Sequence, residues 1–434
     1  MSKKLFSKLE KELSLLEKAI IKVLRSNYSK KSMNKNAKSF ELTNVEQQNY
    51  SNGLDLLRNV FVENPGAKEP NYLRDLSARS SYIYHYIMPN VQRWMHAFMV
   101  CRTPDLIVKQ KDVNILDIGA GPATATISFL LANYKNYTGK VKVFLTDYNQ
   151  SIMKDGKFIL EELAKNLKID LEVHIHGGIQ KGFPSYVNNV DFVLMGNVWN
   201  EGLSSHKNAQ TKTLNYWVDS IKKVTSDNAR FLFMEPANRR SSRLLMAMRD
   251  YFSTHQGFSI LAPCPSTVVN KPCTLNKIKG RPWCHFGFDS FDGFILKSSS
   301  IQSGISHERL SYSYLWLSFK DKLKSEIKIE ARAIGGPMKI ENGFGVYVCH
   351  KNGRVVLESQ ERRTLPVSGQ SIVKGVKTKK VGVELRGEII EKKPEVEKKP
   401  FINPNKKITP KSKVNSKKVI SAIRKPAQRT KKDQ

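Results

Sequence analysis

The chain has 434 residues, with 72 Lys and Arg against 39 Asp and Glu, a formal charge of +33 at pH 7. That charge points to a polyanionic partner, nucleic acid first, although a Lys-rich surface from a biased genome is the plainer source of part of it. An apolar share of 40% supports a sizeable core; the lack of any 18-residue apolar run excludes a membrane-spanning helix, and five cysteines in this length exclude a disulfide scaffold and fit a reducing compartment.

Leu5, Leu9, Leu13, Leu16, Ile20 and Leu24 recur every three or four residues, which predicts an amphipathic helix with Lys on its other face. Packing on its own domain and packing on a partner are equally good reasons for that stripe. Residues 27–50 are polar and read as a linker, so residues 1–50 are expected to form a basic amphipathic helix and linker. Residues 51–110 read as a helical domain, in which Tyr82, Ile83, Tyr86, Ile87, Val91, Trp94, Phe98 and Met99 line one face and Pro89 breaks the helix.

Residues 111–262 alternate short apolar strands, at 114–118, 142–146, 170–175, 190–195 and 230–234, with helices starting near Pro122, Gln150, Thr211 and Arg239. That alternation predicts an α/β domain with an open, mostly parallel sheet covered on both faces. Residues 263–289 form a Pro- and Cys-rich loop. Residues 290–388, with alternating stretches at 312–319, 345–349 and 355–357, are expected to form a β-rich C-terminal module. Residues 389–434 are expected to be a disordered basic tail: the last 44 residues hold 15 Lys and Arg against 4 acids, together with five prolines.

Leu116-Asp117-Ile118-Gly119-Ala120-Gly121-Pro122 closes the first strand and opens a helix. Glycines there let the backbone turn tightly and approach a ligand. A pyrophosphate would want a third glycine where Thr124 stands and would be repelled by Asp117, whereas a cofactor bearing a cation would not. The second strand ends in Asp147, placed to hydrogen-bond ribose hydroxyls, and the fourth ends near Asn197, facing the same crevice. At these residues the sequence resembles the class I methyltransferases, whose first motif reads acid-x-Gly-x-Gly. The resemblance implies S-adenosylmethionine as cofactor, held by Asp117, Gly119, Ala120, Gly121, Pro122, Asp147 and Asn197. The plainer reading is a strand–turn–helix with no ligand. After the fourth strand stands Asn197-Val198-Trp199-Asn200-Glu201, not the Asn-Pro-Pro-aromatic signature for base amino groups. Pro263-Cys264 lies after the fifth strand, the wrong place for a cytosine-methylating nucleophile, so no catalytic residue is assigned.

Cys264, Cys273 and Cys284 are nine and eleven residues apart and Cys349 lies 65 residues further on. No tight Cys-x-x-Cys knuckle occurs, and by spacing alone four buried free thiols is the simpler reading. Pro263, Pro265, Pro272 and Pro282 stiffen the loops around the first three, as presentation of thiolates to a metal centre requires. His285 is a further candidate ligand, more plainly a hydrogen-bonding histidine, and Cys101 is expected to be a buried thiol.

The loop, Met234-Glu235-Pro236, Ala262-Pro263-Cys264-Pro265, Trp283-Cys284-His285-Phe286, Tyr347-Val348-Cys349 and the helical stretch 82–89 together resemble the methyltransferase-like proteins of the mitochondrial ribosomal small subunit and their bacterial homologues. The resemblance covers roughly residues 70–365. It implies a 4Fe–4S cluster on Cys264, Cys273, Cys284 and Cys349, with zinc as the alternative, and binding to small-subunit rRNA during assembly. Ser266 and Thr274 depart from the family's His and Pro at those positions, which bears on loop geometry rather than on the sulfurs. The expected function is thus a monomeric, S-adenosylmethionine-binding iron–sulfur protein that methylates rRNA, or a non-catalytic rRNA-binding assembly factor that keeps the fold. Residues 1–38 hold one Arg and three Glu and match a transit peptide weakly, so the bacterial cytoplasm is expected ahead of the mitochondrial matrix.

Overall fold

A computed structural model describes residues 9–29, 41–63, 72–100, 112–178, 182–199, 207–255, 257–266, 269, 271–278, 282–319, 329–373, 376–381 and 384–389. Leu5, Cys101 and residues 391–434 lie outside the described residues.

The first sheet runs in the order β3-β2-β1-β4-β5-β8-β6. Its members are β1 (Val113–Ile118), β2 (Val141–Asp147), β3 (Leu171–Gly177), β4 (Val190–Gly196), β5 (Thr225–Glu235), β6 (Phe258–Ala262) and β8 (Arg309–Phe319), and β7 (Phe286–Asp289) pairs with β8. The pairs β1–β2, β2–β3, β1–β4 and β4–β5 are parallel, and β8 is antiparallel to both β5 and β6. This is the expected α/β fold of the class I methyltransferase kind. The chain leaves β1 toward β2 on one side and returns to β4 on the other, so a crevice opens at the C-terminal ends of those strands.

Alternation along each strand supplies two apolar faces. Ile115, Val143 and Leu194 pack toward α1 (Glu10–Tyr28), α4 (Leu76–Val100), α5 (Thr124–Asn133) and α6 (Gln150–Leu167). Leu116, Val193 and Phe233 pack toward α7 (Lys207–Lys222) and α8 (Arg239–His255). The short helices α2 (Asn44–Asn49) and α3 (Leu54–Arg58) fall in the stretch read as a linker and the residues just after it. A capping box between Thr43 and Glu46 starts α2.

The N-terminal stripe packs on the body of its own chain. Leu13, Leu16, Ile20 and Leu24 are completely buried. Lys22 pairs with Glu162 of α6 at 2.7 Å, and Glu17 accepts the Ile295 amide at 2.9 Å, capping α9 (Phe294–Ser303).

Two expectations need correction. Pro89 does not break α4, which runs through it for 25 residues. The missing hydrogen bond costs ~3 kcal/mol, and burial of Ile83, Ile87, Val91, Trp94 and Phe98, at ~1.5–3 kcal/mol each, outweighs it. Residues 312–319 belong not to the C-terminal module but to β8, whose register along β5 from Arg230–Ser318 to Glu235–Ser313 completes the first sheet. The second sheet starts at β9 (Ala331–Ala333) and includes β10 (Met338–Ile340), β11 (Gly343–His350), β12 (Gly353–Ser359), β13 (Ser371–Ile372), β14 (Val376–Val381) and β15 (Glu384–Ile389). Ala333, Val346, Val348, Val355 and Leu357 form its core.

Candidate cofactor crevice and cysteine cavity

Gly119 and Gly121 take left-handed backbone, at φ 65° and 50°, and turn the chain from β1 into α5. The loop is tied to the end of β2: the Gly119 and Ala120 amides donate to Thr146 O at 2.8 and 3.1 Å, and the Gly121 amide donates to Asp147 Oδ2 at 2.9 Å. The other Asp147 oxygen accepts the Asn149 amide at 2.9 Å. Burial raises the Asp147 pKa, opposed by these backbone donors.

The end of β4 closes on the same loop. Asn197, at φ 60°, donates its amide to Met234 O of β5 at 2.8 Å. Val198 packs so tightly on Gly119 that a side chain there would collide with it. A Cβ on Gly121, by contrast, would meet nothing within 4 Å. Gly121 therefore lies on the open side of the loop, with Asp147 directly beside it, and Pro122 is braced from behind by Gly156 of α6, where any Cβ would strike the Pro122 backbone.

Asp117 is placed differently. Its carboxylate is 1% exposed and accepts from Thr126 Oγ1 at 2.8 Å and from the Thr126 amide at 3.2 Å, in the first turn of α5. Burial pushes its pKa up to about 7, against the Thr126 donors and with a contribution from the Asp147 charge. It is a buried carboxyl group under the loop. Gly156, Thr126 and the exposed ring of Tyr148, which lies against Gly178, were missed by the sequence reading. A glycine inside an otherwise helical pattern was the available signal for Gly156.

Four separate elements bring the cysteines to one small cavity of about 40 Å³, lined by Cys264, Cys273, Cys284 and Cys349. Cys264 follows β6, Cys273 precedes a 3₁₀ turn at Thr274–Lys277, Cys284 precedes β7, and Cys349 lies in β11. One face of α8 forms the floor, because Ser242, Met246 and Arg249 are spaced four and three residues apart. Each holds a cysteine loop. The Cys284 amide donates to Met246 Sδ at 3.3 Å, and Ser313 Oγ, 2.6 Å from Ser242 Oγ, donates to Cys284 O at 2.7 Å. Arg249 donates to Val269 O and Lys271 O and pairs with Asp250 at 2.6 Å, and Asp250 accepts the Cys273 amide at 2.8 Å. Arg332, 2% exposed and paired in register with Cys349, donates to Pro263 O and to Gly369 O.

Burial pushes the Cys273 thiol up to about 11 and Cys349 to about 12, with the neighbouring cysteines adding to the rise, and Cys284 also lies well above its ordinary value. The lining holds four thiols and no carboxylate, with two buried guanidiniums beside them. Among the described residues no group of three or more His, Cys, Asp or Glu is arranged to hold a metal ion. Ser266 donates to Ile329 O at 2.9 Å and Thr274 Oγ1 lies 4.0 Å from Cys349 Sγ, so both departures from the family pattern are accommodated within the loops.

The fold is similar to several solved structures. A SAM-dependent methyltransferase from Aquifex aeolicus shares 17% identity over 31% of this chain, with a TM-score of 0.21. The chain spans 61% of that protein's length. A class I S-adenosylmethionine-dependent methyltransferase of Listeria monocytogenes, titled putative, shares 12% identity over 71% of this chain and 90% of its own, at a TM-score of 0.34. The M. capricolum protein TrmK, solved with S-adenosyl-homocysteine, shares 12% over 52% of this chain and 72% of its own, at 0.26. No curated protein matches the chain. The family model described as "Mitochondrial small ribosomal subunit Rsm22" matches residues 102–366, more than half of the sequence, and the chain belongs to that family.

Proposed function

We propose that this protein binds S-adenosylmethionine in the crevice at the ends of β1, β2 and β4 and transfers its methyl group to small-subunit rRNA. The observation that carries the reading is the open face of Gly121 next to Asp147, at the switch point of the sheet. In this reading Asp147 accepts the ribose hydroxyls, Gly119, Ala120, Gly121 and Pro122 let the cofactor approach the backbone, and Asn197 lines the opposite wall. Asp117 favours a cation from beneath the loop through its charge. Transfer from a sulfonium needs mainly positioning and exclusion of water, which a closed crevice supplies without a dedicated base. The formal charge of +33 and the family's ribosomal description support RNA as acceptor. The same description supports the mitochondrial matrix, the second of the two settings expected from the sequence.

Cys264, Cys273, Cys284 and Cys349 are proposed to hold a 4Fe–4S cluster, which when bound ties the loops and β11 together. All four cysteines line one cavity, which supports a shared metal centre, with zinc as the alternative occupant. The absence of an acceptor signature after β4 favours a second reading, an rRNA-binding assembly factor that no longer turns over its cofactor. Anaerobic purification, followed by an absorption spectrum, iron and zinc analysis, and calorimetry with S-adenosylmethionine, tests the ligand set. Iron with visible absorption and one bound cofactor is expected; stoichiometric zinc or no cofactor binding would overturn the corresponding part.

A further inference from the structure

Cys284 and Phe286 both line the cysteine cavity, and Trp283 and His285 alternate with them along the chain that leads into β7. Trp283 and His285 are both half-buried, and their rings lie 5.6 Å apart at an interplanar angle of 31°. The Trp283 indole N–H donates to Ala237 O at 3.0 Å. Ala237 comes two residues after Glu235, the last residue of β5, and the adjoining Asn197 at the end of β4 is bonded to Met234. The indole is thereby held at the rim of the crevice, on the β4–β5 side away from Asp147.

Cationic side chains occur on the segments that flank the ring pair. Arg239 and Arg240 are exposed at the start of α8, two and three residues after Ala237; Arg243 donates to Pro282 O at 3.2 Å, next to Trp283; and exposed Arg309 lies against Gly287, two residues after His285. Aromatic faces flanked by guanidiniums are what an unpaired nucleotide strand requires: a stacking surface for a base and positive charge for the phosphates on either side.

We propose that Trp283, supported by His285, is a stacking platform that seats an unpaired RNA base at the mouth of the methyl-transfer crevice. The inference rests on the RNA reading above and adds to it a task for the cysteine loop: whatever holds Cys284 also holds Trp283 in place.

The test is fluorescence anisotropy of the full-length protein with a labelled single-stranded RNA and a duplex RNA of the same length, for the native chain, Trp283→Ala and Trp283→Phe. Stacking of one base predicts a loss of roughly tenfold for Trp283→Ala on the single strand, little change on the duplex, and a largely retained affinity for Trp283→Phe. S-adenosylmethionine binding should stay unchanged in all three. Equal single-strand affinity in the native chain and Trp283→Ala would overturn the platform while leaving the RNA reading intact; a native chain that binds neither RNA would overturn both. Photocrosslinking of the unmodified protein gives a second measurement independent of variant folding. A crosslink within residues 282–288 supports the proposal, and crosslinks confined to residues 391–434 contradict it.

Discussion

The amide of Gly121 donates to the carboxylate of Asp147 at 2.9 Å, so the glycine loop after β1 and the acid at the end of β2 form one unit. Asp147→Ala removes both the proposed ribose acceptor and the brace of the loop. Calorimetry should show cofactor affinity weakened by ~1.5–3 kcal/mol, the scale of a hydrogen bond to a charged group.

Asp117 gives a pH signature. Its pKa is held at about 7 by burial, well above the ordinary carboxylate value of ~3.9. Across that window the native state binds the proton more tightly than the unfolded chain, so the Asp117 contribution to stability falls as pH rises and levels off above about 7. A cationic cofactor favours the ionised form, and its affinity should rise roughly tenfold between one unit below and one unit above that pKa. Asp117→Asn should flatten both profiles, read by thermal melts and by titration with S-adenosylmethionine.

Much of this site was legible in the sequence because its parts are local. Short apolar runs ended by Asp147, Asn197 or a glycine turn mark β1, β2 and β4, and the parallel order follows from the helices between them. What was hidden is non-local. The pairing of β8 with β5 joins residues some 80 apart, and nothing in the alternation of 312–319 says which sheet it enters. Nothing in the sequence singles out Arg249 or Arg332, yet both are nearly fully buried, with backbone carbonyls of the cysteine loops and Gly369 accepting from them. Pro89 reads as a break because its lost hydrogen bond is visible in sequence and the burial that offsets it is not.

Arg249 should prove a structural pillar of the cysteine cavity. Arg249→Leu would leave Asp250, a quarter exposed, without its cation and would free Val269 O and Lys271 O. A stability loss of about 2–3 kcal/mol is expected, below the full value for a wholly buried pair. Metal content should drop with it. Chemical denaturation and iron analysis on the same preparation check both.

Replacement of any one of Cys264, Cys273, Cys284 or Cys349 by Ser should bleach the visible absorption and lower the melting temperature. Cys349 is the most informative, since it alone comes from the second sheet, and a ligand there couples folding of the two sheets. Cys101→Ser should change neither property. A Cys349→Ser protein with full iron content and unchanged melting would remove that residue from the ligand set.

Removal of residues 391–434, which carry 15 Lys and Arg against 4 acids, should reduce the slope of RNA affinity against salt and leave the preferred site unchanged. Loss of site preference at low salt would assign the tail a reading role instead.

The most direct test of the account is transfer of a tritiated methyl group from S-adenosylmethionine to small-subunit rRNA by the anaerobically purified native chain, with Asp147→Ala as control. Label in the RNA that depends on the native crevice and is lost in the variant is the predicted result. A native chain that binds the cofactor and the rRNA but transfers no label would contradict methyl transfer and leave the assembly-factor reading in its place.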